Sequence, residues 1–224
     1  MAKEHTVKAF SQELDLLKSK VLEMGVECEG QLTRAVDALV ERDTKLAKEI
    51  IIGDTKINQL QSEVDDLAVR MLALRQPMAL DLRNILAAQK IAADFERIAD
   101  YAANIAKDVV DSTDLLLESP VKSIVQMAET ARQMLGDVLD AYQELDVKKA
   151  VEVWHRDEEI DKTYFGLLTK LRTLMIEDSK NINASTRLLF VGRCCERIGD
   201  HITNVAENVD FIVSGKMHHG IPMA

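Results

Sequence analysis

At 224 residues the chain is long enough for one large domain or two small ones, and its 47% apolar and 29% charged content is that of a globular protein. A formal net charge of −10, with no Lys/Arg-rich run, argues against nucleic acid or an anionic lipid surface as the main partner, since both need a basic patch. Only nine Gly, three Pro and 4% aromatics stand against an abundance of Ala, Leu, Ile, Val, Lys and Glu, so the composition predicts an all-α fold.

In chain order, a first helix is expected from about Thr6 to Val40, broken by "ERD" (41–43). A second runs from about Thr44 to Arg75 and is ended by "QPM", because proline disfavours helix in the residue before it. The third covers about Ala79 to Val110, and "DSTDLLLESP" (111–120) is the least regular stretch. A fourth spans about Val121–Leu145 and a fifth about Val147–Asp178. "SKNINAS" (179–185) then supplies turn and N-cap residues before a sixth helix near Thr186–Val213, and "SGKMHHGIPMA" reads as a frayed tail. "MAKEHTVKAF" has no apolar signal core and no stretch is long enough to span a bilayer, which predicts a cytoplasmic protein. Cys28, Cys194 and Cys195 are read as small core residues in a reducing compartment, since adjacent cysteines on a helix point apart.

The third and sixth helices align at a constant shift of 100: Glu96, Arg97, Ile98, Asp100, Asn104 and Ala106 meet Glu196, Arg197, Ile198, Asp200, Asn204 and Ala206. The second and fifth align at a shift of 103, Asp54 with Asp157, Ile57 with Ile160 and Asn58 with Asp161. The chain is therefore expected to be two copies of a three-helix hairpin, residues 1–114 and 115–224, forming two bundles side by side.

Within each copy two acids stand four apart, Glu96 with Asp100 and Glu196 with Asp200, a spacing that costs a few tenths of a kcal/mol through like-charge repulsion. On a helical wheel Ile91, Phe95, Ile98, Ala102, Ile105 and Val109 form the core arc. Glu96, Asp100 and Asn104 fall on a flank expected to hold no Lys or Arg. Residues equidistant from an antiparallel turn lie at one height, so Asp54 joins Asp100, Asn58 joins Glu96, Asp157 joins Asp200 and Asp161 joins Glu196. Such clusters are repulsive unless a cation binds, and carboxylate and amide oxygens suit hard ions such as Mg, Mn, Ca or Fe. The alternative is a solvated patch screened by Arg97 and Arg197, repeated only because the copy was duplicated.

Other residues carry less. Arg97 and Arg197 could meet a partner's acids or phosphate, or simply be surface arginines, and His201 reads as a partly buried aromatic. Trp154 with His155 is expected to pack on a neighbouring helix. His218 and His219 lie in the tail, and Cys28 has no histidine placed to activate it. Ferritin-like sites need Glu-x-x-His, but Ala99 and Gly199 stand there, and no HExxH, phosphate loop or G-x-S-x-G is present. An interaction protein is the better class. The rival is a carboxylate-cluster metal-storage or metal-dependent hydrolytic protein.

"QPMALDLRNILAAQKIAADFERIADYAANIAKD", followed by "RCCERIGDHITNVAEN", resembles the PhoU family over about residues 6–214. The resemblance implies tandem three-helix bundles without catalytic activity. It further implies restraint of high-affinity phosphate uptake and of the phosphate-starvation response, through the phosphate ABC transporter's ATPase subunit and a sensor histidine kinase. The membrane is reached only through those partners, and a homodimer is expected. Iron- or zinc-type metal at Glu96, Asp100, Glu196 and Asp200 is also implied. Three departures stand out: Ala99 where the family commonly has Gly, expected to matter little; Asp94 against Cys194; and Asn58 against Asp161, which makes the first site less acidic.

Overall fold

The computed structural model describes residues 2–111 and 117–216. It contains six helices: α1 (Ala2–Glu41), α2 (Thr44–Arg75), α3 (Ala79–Asp111), α4 (Glu118–Glu144), α5 (Val147–Glu177) and α6 (Ile182–Ser214). The boundary expected between residues 114 and 115, and the His218–His219 pair, lie outside the described residues.

Turn chemistry explains the breaks. Arg42 and Leu145 both take left-handed backbone, with φ of 57° and 54°. The next residue in each case, Asp43 or Asp146, caps the following helix: Asp43 accepts from the Lys45 and Leu46 amides and Asp146 from the Lys149 amide. These two turns are twins at the shift of 103, which extends the repeat to α1 and α4. Two helices start earlier than expected. α4 begins at Glu118 with Pro120 inside its first turn, where the missing N–H costs nothing. α6 begins at Ile182 after a short 3-10 turn (Ser179–Asn181); Asn181 makes no cap, its amide donating instead to Leu174 O of α5 at 3.2 Å.

α1, α2 and α3 pack mutually, as do α4, α5 and α6. Between the bundles, only α3 meets α6 and α1 meets α4 among the described residues. The result is two layers. One is the row α2–α3–α6–α5; behind it lie α1 and α4. α1 and α4 bury equivalent residues, Val21 with Ile124, Met24 with Met127 and Leu32 with Leu135. Cys28 and Cys195 are fully buried, Cys194 is partly so, and all three are free thiols. The Cys28 thiol donates to Phe95 O at 3.0 Å, and burial pushes it well above the usual thiol range, as expected of a core residue.

Gly25 sets how closely α1 and α4 approach, because a Cβ there would lie 2.2 Å from Leu139 Cδ2. Gly25→Val should therefore destabilise the protein by about 1–3 kcal/mol in urea unfolding. Adding Leu139→Ala should recover part of that loss, whereas a loss unchanged by the second substitution would place the strain elsewhere.

Candidate metal centre

The acidic motifs of α3 and α6 sit one turn apart on their helices, beside α2 and α5 respectively. In the second bundle Asp157, Asp161, Glu196 and Asp200 come together as the sequence predicts. Desolvation, then repulsion from Asp161, Asp200 and Glu196, pushes the Asp157 carboxyl up to about 7. Burial followed by Asp200 likewise raises Glu196, and burial followed by Asp200 and Glu158 raises Asp161. Asp157 Oδ1 and Glu196 Oε2 are buried with no hydrogen-bond partner. A cavity of about 540 Å³, open to solvent, is lined by Asp157, Asp161, Asp200, Asn204, Trp154 and Arg197, among others.

Gly199 makes this arrangement possible. A Cβ at that position would lie 2.2 Å from Asp157 Oδ1, so only glycine lets the carboxylate seat against α6. Gly199, where the first copy has Ala99, thus sets how close Asp157 can come to α6.

The first copy is built differently. Asp54 Oδ1 accepts a long hydrogen bond of 3.4 Å from the Gln31 amide, which is 3% exposed and also reaches Ala99 O at 3.4 Å. The Asn58 amide lies 3.5 Å from Asp54 Oδ2. Glu96 is raised by burial, then by Asp100, with Asp54 contributing. Gln31 belongs to α1, and at the shift of 103 its twin in α4 is Met134, fully buried and without a donor. Sequence reasoning missed this pair because α1 and α4 had not been aligned; the Asp43/Asp146 turns carried the register.

The flank is not free of cations. Arg197 donates to Asp200 Oδ2 at 2.8 Å and comes within 3.5 Å of Glu196 Oε2, while Arg193 lies 3.6 Å from the same oxygen. These two approaches to Glu196 are ion pairs without hydrogen bonds. Arg97 reaches Glu96 and Asp100 at 3.6 Å each and stays 60% exposed, so it screens weakly. The long guanidinium stems bend back to neighbours that the wheel places on another face. Among the described residues no three His, Cys, Asp or Glu side chains stand ready as a metal cage.

Asn104 and Asn204 also part ways. Asn104 accepts from Lys107 at 3.0 Å, on an exposed turn. Asn204 donates across the seam to Asp94 Oδ1 at 3.1 Å, and His201 Nδ1 lies 2.9 Å from that same oxygen. The His201 ring lies 5.8 Å from Tyr101, its own repeat equivalent. Asp94, with Cys194 as its twin, is therefore a bond between bundles. Trp154 packs partly buried against the core, as expected, with His155 edge-on at 5.2 Å.

A duplicated three-helix bundle, with a Glu-x-x-x-Asp pair on the third helix of each copy, defines the class of this protein. The PhoU domain model matches residues 21–109 and 124–209. The phosphate-specific transport system accessory protein PhoU homolog of Caulobacter vibrioides (strain NA1000 / CB15N) is 43% identical over 95% of this chain and 93% of its own. PhoU of Escherichia coli (strain K12) is 35% identical over 95% of this chain and 88% of its own. The crystal structure of PhoU from Pseudomonas aeruginosa superposes with a TM-score of 0.86 at 34% identity, covering 92% of this chain and 100% of that one. That of the phosphate transport system regulatory protein PhoU from Streptococcus pneumoniae gives 0.87 at 31%, covering 94% and 99%. The chain belongs to the PhoU family. Among the described residues no helix is long and apolar enough to cross a membrane.

Asp157 gives the site a pH signature. Its folded value of about 7 exceeds an unfolded value of about 4, so the folded state holds the extra proton and stability falls as pH rises through that window. In EDTA, Asp157→Asn should shallow this slope, leaving the smaller share of Glu196, Asp161 and Glu96, and raise stability at pH 8 by roughly 1–2 kcal/mol after allowing for solvent screening. A parallel slope in the variant would remove Asp157 from the account.

Proposed function

We propose that the protein is a non-enzymatic cytoplasmic regulator that restrains high-affinity phosphate uptake and silences the phosphate-starvation response when phosphate is plentiful. It acts through contacts with the ATPase subunit of a phosphate ABC transporter and with a membrane-bound sensor histidine kinase, and reaches the membrane only through them. The observation that carries this reading is the match, over 95% of this chain, to relatives named phosphate-specific transport system accessory proteins. A solved relative named as a regulatory protein supports the same role. The homodimeric state belongs to this reading through the family resemblance.

Iron-, zinc-, manganese- or magnesium-type ions at the acidic motifs belong to it as well. Asp157 Oδ1, buried without a hydrogen-bond partner, and the close seat against Gly199 support such an ion in the second bundle. There the ion would neutralise repulsion among Asp157, Asp161, Glu196 and Asp200 and hold α5 and α6 in register. Arg97 and Arg197, on the outer side of α3 and α6, are the side chains that would meet a partner's acids. Binding then favours one partner conformation, since a ligand shifts an equilibrium only by its differential affinity.

Tagged protein incubated with membranes from phosphate-replete cells should retain the transporter ATPase or the sensor kinase, identified by mass spectrometry. Arg97→Glu combined with Arg197→Glu should lower that recovery at least fivefold. Recovery of neither partner would sink the regulator reading, and iron uptake or phosphate-ester turnover by the pure protein would then support the metal-storage or hydrolytic rival.

A further inference from the structure

The front of the molecule, the side turned away from α1 and α4, is not uniform in charge. Between Asp161 and Glu196 the α5–α6 hairpin carries Lys162, Lys170, Arg172, Lys180, Arg187 and Arg193, and its only acids, Glu177 and Asp178, stand at the turn. The equivalent stretch of the first copy, between Asn58 and Glu96, holds five acids against four basic residues. A chain of net charge −10 has thus gathered a cationic end on one hairpin.

The same end exposes large apolar side chains. Phe165, Ile176 and Phe190 are 67%, 80% and 64% exposed, and Ile182 is 45% exposed. At about 100° per residue, Phe165, Arg172 and Ile176 fall within about 40° of one another on α5, and Ile182, Phe190 and Arg193 within about 80° on α6. Each stripe continues a wall of the cavity between the two helices, because Phe165 lies one turn beyond Asp161 and Arg193 one turn before Arg197. Both stripes therefore open on the front. Antiparallel pairing sets Phe165 level with Gly192, close to the height of Phe190 and Arg193, and Ile176 level with Asn181, next to Ile182.

The cations of this face are not all committed elsewhere. Arg187 is drawn into the seam by Asp108, and Lys170 lies 3.4 Å from Ser123 of α4. Arg172, however, is exposed and has no ion pair among the described residues. Arg193, held by Tyr164 and loosely by Glu196 at 3.6 Å, also stays exposed. At the repeat shifts Phe165, Arg172, Phe190 and Arg193 correspond to Ser62, Val69, Lys90 and Ala93, so the first bundle lacks the combination.

We infer that the front of the α5–α6 hairpin is a docking surface for an acidic, amphipathic helix of a protein partner, a step that rests on the regulator reading above and names the chemistry by which the partner is held. Aromatic residues and arginine dominate the energetic centres of protein interfaces, and a cationic patch steers partners of opposite sign. An anionic bilayer fits less well. Glu158, Asp161 and Asp200 continue the same face beyond Phe165 and Arg193, where a flat sheet of lipid phosphate would press against them, whereas a single helix can end before them.

Full-length tagged protein with p-benzoylphenylalanine in place of Phe165, or of Ser62 as the control, is irradiated with membranes from phosphate-replete cells, and the linked peptide is identified by mass spectrometry. Position 165 should link to a net-acidic segment with helically spaced apolar residues, roughly fivefold more than position 62 does. Arg172→Glu with Arg193→Glu should lower that yield by a similar factor, as should added salt, without moving the thermal unfolding midpoint. Phe165→Ser with Phe190→Lys, the first copy's own residues, should lower partner recovery in the untreated pull-down. A link to a basic segment or to a second copy of this chain would overturn the inference. So would retention on phosphatidylglycerol–phosphatidylethanolamine vesicles with no protein adduct. If the transporter ATPase or the sensor kinase is recovered but position 165 links to nothing, the docking surface is overturned and the regulator reading stands. A link to an acidic helix of some other identified protein would support the surface and overturn the partners named above.

Discussion

The antiparallel contact of α3 with α6 is the constraint on which the rest of this structure depends. Each of these helices already serves as the third member of its own bundle, so it must be apolar over far more than a single stripe. α3 accordingly buries Ala87, Ile91, Phe95, Ile98, Ala102, Ile105 and Val109 across a broad arc. The small residues in that arc let backbones approach on two sides, and the side left to solvent is narrow. Whatever the protein presents to the outside from its central row must come from that narrow strip or its edges, and the Glu-x-x-x-Asp pairs stand at one such edge.

The seam itself is not purely apolar. Arg187 of α6 binds Asp108 of α3 through Nε at 3.0 Å and also reaches the Asp108 and Asp111 carbonyls, while Asp94 of α3 receives Asn204 and lies against His201. At the shift of 100 these partners map onto Ala87, Asn208 and Cys194, which cannot make the same bonds. A sequence repeat that began symmetric has thus been edited so that each polar contact between bundles occurs once. Polar groups at such a seam cost desolvation unless paired, and pairing only in one alignment selects that alignment. The same one-sided editing separates the acidic clusters, where Gln31 and Asn58 direct amides at Asp54 in the first copy and Gly199 lets Asp157 seat against α6 in the second.

Much of this was legible beforehand. Helix ends at Arg75 and Val147 follow from proline and from aspartate caps, which act over a few residues and need no tertiary partner. The early start of α4 was hidden because Pro120 reads as a breaker, yet in a first turn it breaks nothing. The acid pairs and their partners across the α2–α3 and α5–α6 turns were visible because an antiparallel hairpin translates sequence distance from the turn directly into height. Arg97 and Arg197 were misplaced because a wheel assigns a side chain to the direction of its Cβ, and a guanidinium works several ångströms from there.

Sequence alone determined the helices, the duplication and the gathering of carboxylates on paired helices, because periodicity, caps and turn symmetry are local rules. Tertiary structure alone decided which carboxylate oxygen is left without a donor. That outcome depends on the amide of Gln31 arriving from a helix more than twenty residues away, and on a clearance of one methyl group beneath Asp157. Such distances are set by how closely helices pack, a quantity no stretch of sequence states by itself.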